Sequence, residues 1–190
     1  MFSAMYAYNK NISLMVMLPY IEKEMDMVKL SGMNTGNTHR TSSRGIGDLS
    51  IAGLYKISGK SNLKLSLSIP TGEFDEKDKN MMGMMKILPY PMQLGSGTYD
   101  VTLGYSFQEI FSDWSYGFQL NATKRFDYNS EDWRYGDRRE VSAWAAKPLS
   151  KTFSLSIGLD IEHQDNINGK SSMRNNMTPT WNEYFHSHLR

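Results

Sequence analysis

The sequence contains no cysteine, which excludes disulfide bonds, thiol catalysis and thiolate-held zinc or iron–sulfur sites. It also has no apolar run near the roughly 20 residues of a transmembrane helix, since the longest candidate, Ile12 to Leu18, is far too short. Neither sign of charge is in excess, because the formal net charge is +1. A near-neutral chain gives no support for nucleic acid as a partner.

The sequence does have strict alternation of apolar and polar residues. It is clearest in three segments: Leu63–Ile69, Tyr99–Phe107 and Phe153–Ile161. A period of two predicts β-strands with one apolar and one polar face. The polar positions hold mainly Ser, Gly, Thr, Asp and Lys, and the segments approach the 9–11 residues or so that a tilted strand needs to cross a membrane. We therefore predict an all-β, antiparallel, up-and-down transmembrane β-barrel. The mean hydropathy of −0.52 is compatible with it, because half of each strand would face a polar interior.

The alternation predicts about eight strands in this chain. Their ranges are Phe2–Tyr8, Ile12–Val28, Asp48–Ile57, Leu63–Asp75, Tyr99–Gln108, Trp114–Asp127, Arg139–Leu149 and Thr152–Asp165. Short turns between them alternate with long connections, which are Lys29–Gly47, Glu76–Thr98 and Tyr128–Arg138. Outer-membrane barrels have this arrangement, with tight turns at one end and long loops at the other.

Aromatic residues cluster near the predicted strand ends. Those near the short turns are Tyr8, Phe107, Phe111, Trp114 and Phe153, and those near the long loops are Tyr20, Tyr99 and Phe126. Two girdles at the membrane interfaces would have this distribution, although aromatics also favour strands in general.

Several short motifs follow one another in a characteristic order along the chain. They are Leu18-Pro19-Tyr20, Gly45-Ile46-Gly47-Asp48, Gly53-Leu54-Tyr55, Ser68-Ile69-Pro70-Thr71-Gly72 and Leu88–Asp100 with its Gly95-Ser96-Gly97. In this order the chain, from about Ala4 to Asp165, resembles the transporter-like outer-membrane barrels of the "meta-pathway of phenol degradation" family. The resemblance implies a closed barrel of about a dozen strands and a channel for a hydrophobic or aromatic solute.

The chain departs from that family pattern at both ends. The first residues begin directly on an alternating segment instead of a signal peptide, and the alternation fades after Asp165. We therefore expect a chain truncated at both ends. Residues 1–168 are predicted to form the central barrel strands, and residues 169–190 a poorly ordered tail or the remnant of a strand.

Charged and amide residues in the polar phase are the candidate solute path. The predicted lumen-lining residues are Asp48, Lys56, Lys64, Asp100, Gln119, Asn121, Arg125, Glu140, Asp160 and Glu162. Charges of both signs should pair across strands, because an unpaired buried charge costs several kcal/mol. Two interpretations stay open, a salt-bridged interior that only stabilises and a polar path that selects solutes.

Other candidate sites are weaker. Met81, Met82, Met84 and Met85 are soft ligands that suit Cu(I), but Met also simply fills apolar gaps, so no metal or cofactor is predicted. His186 and His188 are spaced to point the same way along a strand and are expected to be incidental. Gly95-Ser96-Gly97 precedes a strand instead of a helix, so turn geometry explains it better than phosphate binding.

These observations predict a non-enzymatic transporter or channel of the bacterial outer membrane, with membrane lipid and a small solute as partners. One alternative is a soluble lipocalin-like binding barrel, in which Leu65, Leu67, Leu103, Phe118, Leu155 and Ile157 would point into a shared core. A second alternative is an outer-membrane hydrolase, which needs a Ser or Asp within reach of a rim histidine such as His163. Alternation sets His163 on the apolar face and Asp160 and Glu162 on the other.

Overall fold

The computed structural model describes residues 1–28, 38–79, 85–169 and 184–189. Apart from one 3₁₀ turn at Tyr90–Met92, the regular elements of these residues are all strands. The strands are β1 Phe2–Ala7, β2 Ile12–Leu18, β3 Tyr20–Val28, β4 Thr38–Ile46, β5 Leu49–Lys56, β6 Ser61–Ile69, β7 Lys77–Lys79, β8 Met85–Ile87, β9 Asp100–Phe111, β10 Trp114–Arg125, β11 Trp133–Arg134, β12 Arg138–Pro148, β13 Ser154–Gln164, β14 Asn168–Gly169 and β15 Tyr184–Leu189. No helix in the described part of the chain is long and apolar enough to span a membrane.

The main sheet has nine strands in the order β1-β2-β5-β6-β9-β10-β12-β13-β15. Every neighbouring pair is antiparallel, as in an up-and-down barrel wall. Within the described residues no ladder joins β1 to β15, so these strands form the two edges of the wall.

All the short turns lie at one end of this sheet, which we call the turn end. They are closed by backbone hydrogen bonds such as Tyr8 N to Ile12 O (3.0 Å) and Leu149 N to Phe153 O (2.8 Å). The long connections lie at the opposite loop end. The predicted alternation of short and long connections is therefore confirmed.

Three predicted ranges are wrong at the loop end. The predicted strand Ile12–Val28 is two strands, because the chain breaks at Pro19 and Gly47 N instead donates to Pro19 O (2.9 Å). The predicted connection 29–47 contains β4, which pairs with β3 as a separate two-stranded ribbon. Proline lacks the N–H that a continuous ladder requires, which accounts for the break. The strand predicted as Leu63–Asp75 ends at Ile69, immediately before Pro70, for the same reason.

The C-terminal part contains β15, which pairs with β13 from Ile157↔Leu189 to Glu162↔Tyr184. The prediction for this part was a poorly ordered tail or the remnant of a strand, because the alternation fades after Asp165. The predicted domain limits stay a prediction, since residues 170–183 lie outside the described residues.

The sheet has two distinct faces. We call polar face the side whose residues are in register with Asp100, Gly104 and Asn121, and apolar face the opposite side. The six apolar residues used above to separate the alternatives are all exposed, from Phe118 at 38% to Leu65 at 60%. They cover no core among the described residues, which contradicts a lipocalin-like cavity. The aromatics of the predicted girdles are exposed as well, except Phe107, which is half-buried against Phe118 (ring centroids 5.7 Å apart).

Candidate functional site

The structure places every predicted lumen-lining residue on the polar face. Residues directly opposite in an antiparallel ladder share a face. One row of such partners crosses five strands and consists of Lys64, Gly104, Asn121, Glu140 and Glu162. The next row toward the turn end consists of Lys56, Asn62, Ser106, Gln119, Ser142 and Asp160. Asp100 and Arg125 form a row at the loop end, and Asp48 lies just before β5 in the same phase.

Three glycine motifs from two connections meet at the loop end, Gly47 just before β5 and Gly72 and Gly95 at the two ends of the β6–β9 connection. A Cβ on Gly72 would lie 2.8 Å from the Cα of Gly95 and 2.9 Å from the Cα of Gly47. Real Cβ atoms do not approach other atoms this closely, so only glycine permits the three backbones to touch. The motifs read separately along the sequence are therefore parts of one junction.

The Asp48 carboxylate holds this junction together. Its Oδ1 accepts a hydrogen bond from Gly72 N (3.0 Å), and its Oδ2 accepts two from Ser96, through N (2.8 Å) and Oγ (2.7 Å). Thr71 Oγ1 donates to Gly47 O (3.0 Å) and accepts from Leu49 N (2.9 Å). Hydrogen bonds to an ionised carboxylate are stronger than neutral ones, so Asp48 is the central acceptor of the loop end.

A buried ion pair lies directly below this junction. Arg125 Nε is 3.3 Å from Asp100 Oδ2, and the two side chains are 11% and 8% exposed. Thr98 Oγ1 donates to Asp100 Oδ1 (2.8 Å), and the Tyr135 ring covers the Arg125 guanidinium at 5.0 Å. Arg125 Nη1 has no hydrogen-bond acceptor among the described residues. Asp100 and Arg125 thus pair across strands as expected, whereas Lys56 and Asp160 form no ion pair among the described residues.

The long connections pack over the pair and form a small apolar core. We call cap the residues 70–79, 85–99, 126–137 and 165–169. Its core contains Tyr90, Trp133 and Ile167, with Trp133 fully buried. The Trp133 ring lies 4.8 Å from Tyr90 and 4.9 Å from Tyr135, in edge-on geometry. The cap therefore covers the polar face at the loop end and leaves the apolar face open.

The β3–β4 ribbon fastens the cap from the side. Lys23 Nζ donates to the carbonyls of Pro91 (2.9 Å) and Gln93 (2.6 Å), and Ser43 Oγ donates to Met92 O (2.6 Å). Burial lowers the pKa of Lys23. Both polar atoms of the buried Gln93 amide are hydrogen-bonded. Its Oε1 accepts from Glu76 N (2.7 Å), and its Nε2 donates to Leu88 O (2.9 Å).

One titratable group of the cap is shifted to neutral pH. Burial, followed by the hydrogen bond and the repulsion from Glu73, raises the pKa of Glu76 to about 7. The backbone carbonyl of Glu73 accepts hydrogen bonds from Leu94 N (3.0 Å) and Gly95 N (2.7 Å). The charge of this carboxyl pair is thus linked to the segment that enters the glycine junction.

The polar face differs between two groups of strands. On β10 to β13 it is charged, and Arg138 Nη2 bridges Glu140 Oε1 (2.5 Å) and Glu162 Oε2 (2.9 Å). On β1, β2 and β5 the same face carries five apolar residues, Met5, Met15, Met17, Ala52 and Leu54, among Ser3, Ser13, Ser50 and Lys56. A charged sector and a thioether-rich apolar sector therefore line one continuous surface.

Sequence reasoning missed several residues of this surface. Arg138 and Trp144 share the phase of the predicted Glu140, so extending the alternation along β12 would have found them. Met15 and Met17 lie two residues apart on β2, so the same alternation would have placed them on this face. Trp133 and Gln93 carry no sequence signal, because only the packing of the connections buries them.

The weaker candidates stay apart from this surface. Met81, Met82 and Met84 lie outside the described residues, while Met85 opens β8 and is exposed, so copper binding stays a hypothesis. The described residues contain no group of three or more His, Cys, Asp or Glu side chains that would hold a metal ion. The side chains of His186 and His188 are not described. His163 is on the apolar-face side, with Nε2 3.1 Å from Asp165 Oδ1.

Comparisons with known proteins agree with the barrel fold. A family model described as "Putative MetA-pathway of phenol degradation" matches residues 6–181. Among solved structures, the chain is similar to an outer membrane channel from Pseudomonas putida F1, with 13% identity and a TM-score of 0.56 over 91% of this chain and 62% of that chain. This chain thus spans less than two thirds of that channel's length. No curated protein matches the chain. The likeness shows the fold, an antiparallel transmembrane β-barrel.

Proposed function

The chain belongs to the MetA-pathway of phenol degradation family, and from that membership we propose that it forms the wall of a bacterial outer-membrane channel that passes a small hydrophobic or aromatic solute. The apolar face points to lipid and the polar face lines the solute path. The protein performs no catalysis in this proposal, and the solved channel to which it is similar supports that class of function.

The observation that carries the proposal is the exposed apolar face. Leu65, Leu103 and Ile157 are 60%, 57% and 53% exposed, although each lies inside a regular strand. Large apolar surfaces of this kind mark contact with another apolar phase. The strands β9, β10, β12 and β13 have 12, 12, 11 and 11 residues, which suffices to cross the hydrocarbon layer at about 9–11 residues.

The two-sided polar face supports the choice of solute. Its apolar sector, with Met5, Met15 and Leu54, gives a hydrophobic ring a surface to slide along, and methionine adapts to varied shapes. The charged sector, with Glu140 and Glu162, gives polar substituents hydrogen-bond partners. A small aromatic molecule that carries a hydroxyl or similar group uses both sectors.

Reconstitution in planar lipid bilayers tests the channel function. We expect discrete steps of KCl current, and liposomes that contain the protein should swell when a permeant phenolic solute is added outside. Protein that inserts with the heat-modifiable mobility of a folded barrel, yet neither conducts nor swells liposomes, would refute the channel while leaving the fold in place.

One contact favours testing the hydrolase alternative as well. Asp165 lies within hydrogen-bond distance of His163 (3.1 Å). A hydrolase needs an Asp or Ser within reach of a rim histidine, and this contact meets that requirement. Arg139 Nη2 also approaches Asp165 (3.6 Å). We expect no hydrolysis of a fluorogenic phospholipid or short-chain ester. Activity that disappears in His163→Ala and Asp165→Asn would establish the enzyme instead.

A further inference from the structure

A tryptophan faces the polar side of the wall at the turn end. Trp144 is in the same phase along β12 as Glu140 and Ser142, which belong to the polar-face rows. Its register partners are Gly117 on β10 and Gly158 on β13. The largest side chain of this row therefore stands between two strand positions that carry no side chain.

The indole lies against the backbone of Gly117. A Cβ built on Gly117 would be 2.6 Å from the Phe107 carbonyl oxygen and 3.0 Å and 3.1 Å from Cζ2 and Cε2 of Trp144, so glycine allows the ring to lie close to the backbone there. Even so, Trp144 stays 41% exposed. A ring that is covered by backbone on one side and remains this exposed offers apolar surface to a second ring.

Polar side chains lie one ladder row away from this ring. Gln119 and Asp160 occupy the next row toward the loop end, two residues or roughly 6–7 Å along the strands. Aromatic pairs prefer offset-stacked or edge-on contacts with centroids about 4.5–7 Å apart. A phenol in contact with Trp144 can therefore direct its hydroxyl toward an amide or a carboxylate.

From these observations, and resting on the proposed channel function, we propose that Trp144 is a ring-binding residue on the solute path that gives the channel its preference for aromatic over aliphatic solutes. Gly117 provides the flat support for the indole, and Gly158 keeps the adjacent space free of a side chain.

The chain provides a matched control in Trp114. It is 44% exposed, is also near the turn end, and lies on the apolar face, where Lys147 Nζ is 5.3 Å from the ring centroid. The two tryptophans thus differ mainly in the side of the wall that they occupy. Substituting Trp114 should leave solute affinity unchanged.

The test measures block of single-channel KCl current by phenol and by cyclohexanol, which has a similar size and the same hydroxyl but no aromatic ring. Each variant is normalised to its own open current. In Trp144→Ala the concentration of phenol for half block should rise about 2- to 13-fold, which corresponds to the roughly 0.5–1.5 kcal/mol of an aromatic pair. Block by cyclohexanol should change much less, Trp144→Phe should retain most of the phenol block, and Trp114→Ala should behave as the unmodified protein.

The outcomes separate this inference from the proposed function. Absence of KCl current in the unmodified protein would refute the channel. Normal current with equal phenol block in the unmodified, Trp144→Ala and Trp144→Phe proteins would refute the role of Trp144 alone. An independent measurement uses the Trp114→Phe and Trp144→Phe proteins in liposomes. Quenching by brominated lipid should decrease in Trp114→Phe, and quenching by aqueous iodide should decrease in Trp144→Phe. The reverse assignment would overturn the proposal.

Discussion

At the loop end Asp100 and Arg125 are buried beneath the cap and Trp133 is buried within it. At the turn end, by contrast, Trp144 remains 41% exposed and the strands are joined by turns of a few residues. The same nine-stranded sheet thus has one end stabilised by a packed cap and one stabilised by its ladders, its tight turns and exposed contacts such as the Lys60–Glu109 ion pair. Because long loops lose more conformational entropy when they are ordered, only the loop end needs a dedicated junction and core. The turn end is consequently free to carry residues for the solute.

The difference also separates stability from selectivity. The glycine junction with Asp48, the Asp100–Arg125 pair and the Trp133 core all hold the cap. Residues of the turn end, such as Lys56 and Gln119, make few contacts across the polar face. Substitutions at the loop end should therefore change the free energy of unfolding, and those at the turn end should change what passes.

The largest effect is expected from comparing two tryptophans. Trp133→Ala removes a ring that is 0% exposed, which typically costs about 3–5 kcal/mol. Trp144→Ala removes a half-open ring and should cost well under half as much. Denaturant unfolding in detergent micelles, followed by the heat-modifiable mobility of the barrel, measures both. Equal losses would show that the two ends are stabilised alike.

Breaking the buried ion pair should have a similar but slightly smaller effect. Arg125→Met leaves Asp100 buried without its cation, and removing one partner of such a pair costs about 3–5 kcal/mol. The double variant with Asp100→Leu should recover much of the loss, because a buried pair can often be replaced by apolar residues.

Lys56→Met at the turn end is the control, since Lys56 is exposed on the same face and forms no ion pair among the described residues. Its free energy of unfolding should stay close to that of the unmodified protein. A double variant less stable than Arg125→Met would contradict the interpretation of the pair.

A smaller effect is expected at the glycine junction. Asp48→Asn keeps the size of the side chain but replaces one acceptor oxygen by an NH₂ group. This group would face the donor Gly72 N in place of Oδ1, or the donors of Ser96 in place of Oδ2. Hydrogen bonds to a charged group contribute roughly 1.5–3 kcal/mol, so unfolding should become easier by about that amount. Asp160→Asn, on the same face but with no hydrogen bond among the described residues, should change stability little. Proteolysis of the cap in folded protein is the second measurement, and an unchanged cleavage rate in Asp48→Asn would contradict the role of Asp48.

The sequence was sufficient to predict the strands and their faces because both follow from a local period of two. Leu103, Asn121 and Glu162 lie on the faces that alternation assigns to them. The ribbon strand β4 escaped prediction because its inward residues Thr41 and Ser43 are polar, although the cap buries them. Polar residues on both faces of a strand give no alternation of hydropathy to detect.

The loop-end junction could be predicted only in part. The motifs around Gly47, Gly72 and Gly95 were visible as separate turns, but their contact depends on how two long connections fold and pack in space. The same holds for Trp133, whose burial is produced by loops far apart in sequence. Long-range packing of irregular segments leaves no periodic pattern, and that is where sequence reasoning ended.

The smallest effect concerns pH and acts on the loop end alone. The pKa of Glu76 is raised to about 7, while the carboxyl of an unfolded chain titrates near 4.5, so the folded cap binds a proton that the unfolded cap has released between these values. The contribution to cap stability is therefore complete below about pH 4.5 and is lost as the pH rises toward 7. Amide hydrogen exchange at Leu94 and Gly95, which donate to Glu73 O, should gain less protection at pH 8 than at pH 5.5 after correction for intrinsic rates. Glu76→Gln should abolish this difference and the exposed Glu22→Gln should retain it, because only Glu76 shares its proton with Glu73. A pH dependence that survives in Glu76→Gln would assign the effect to another group.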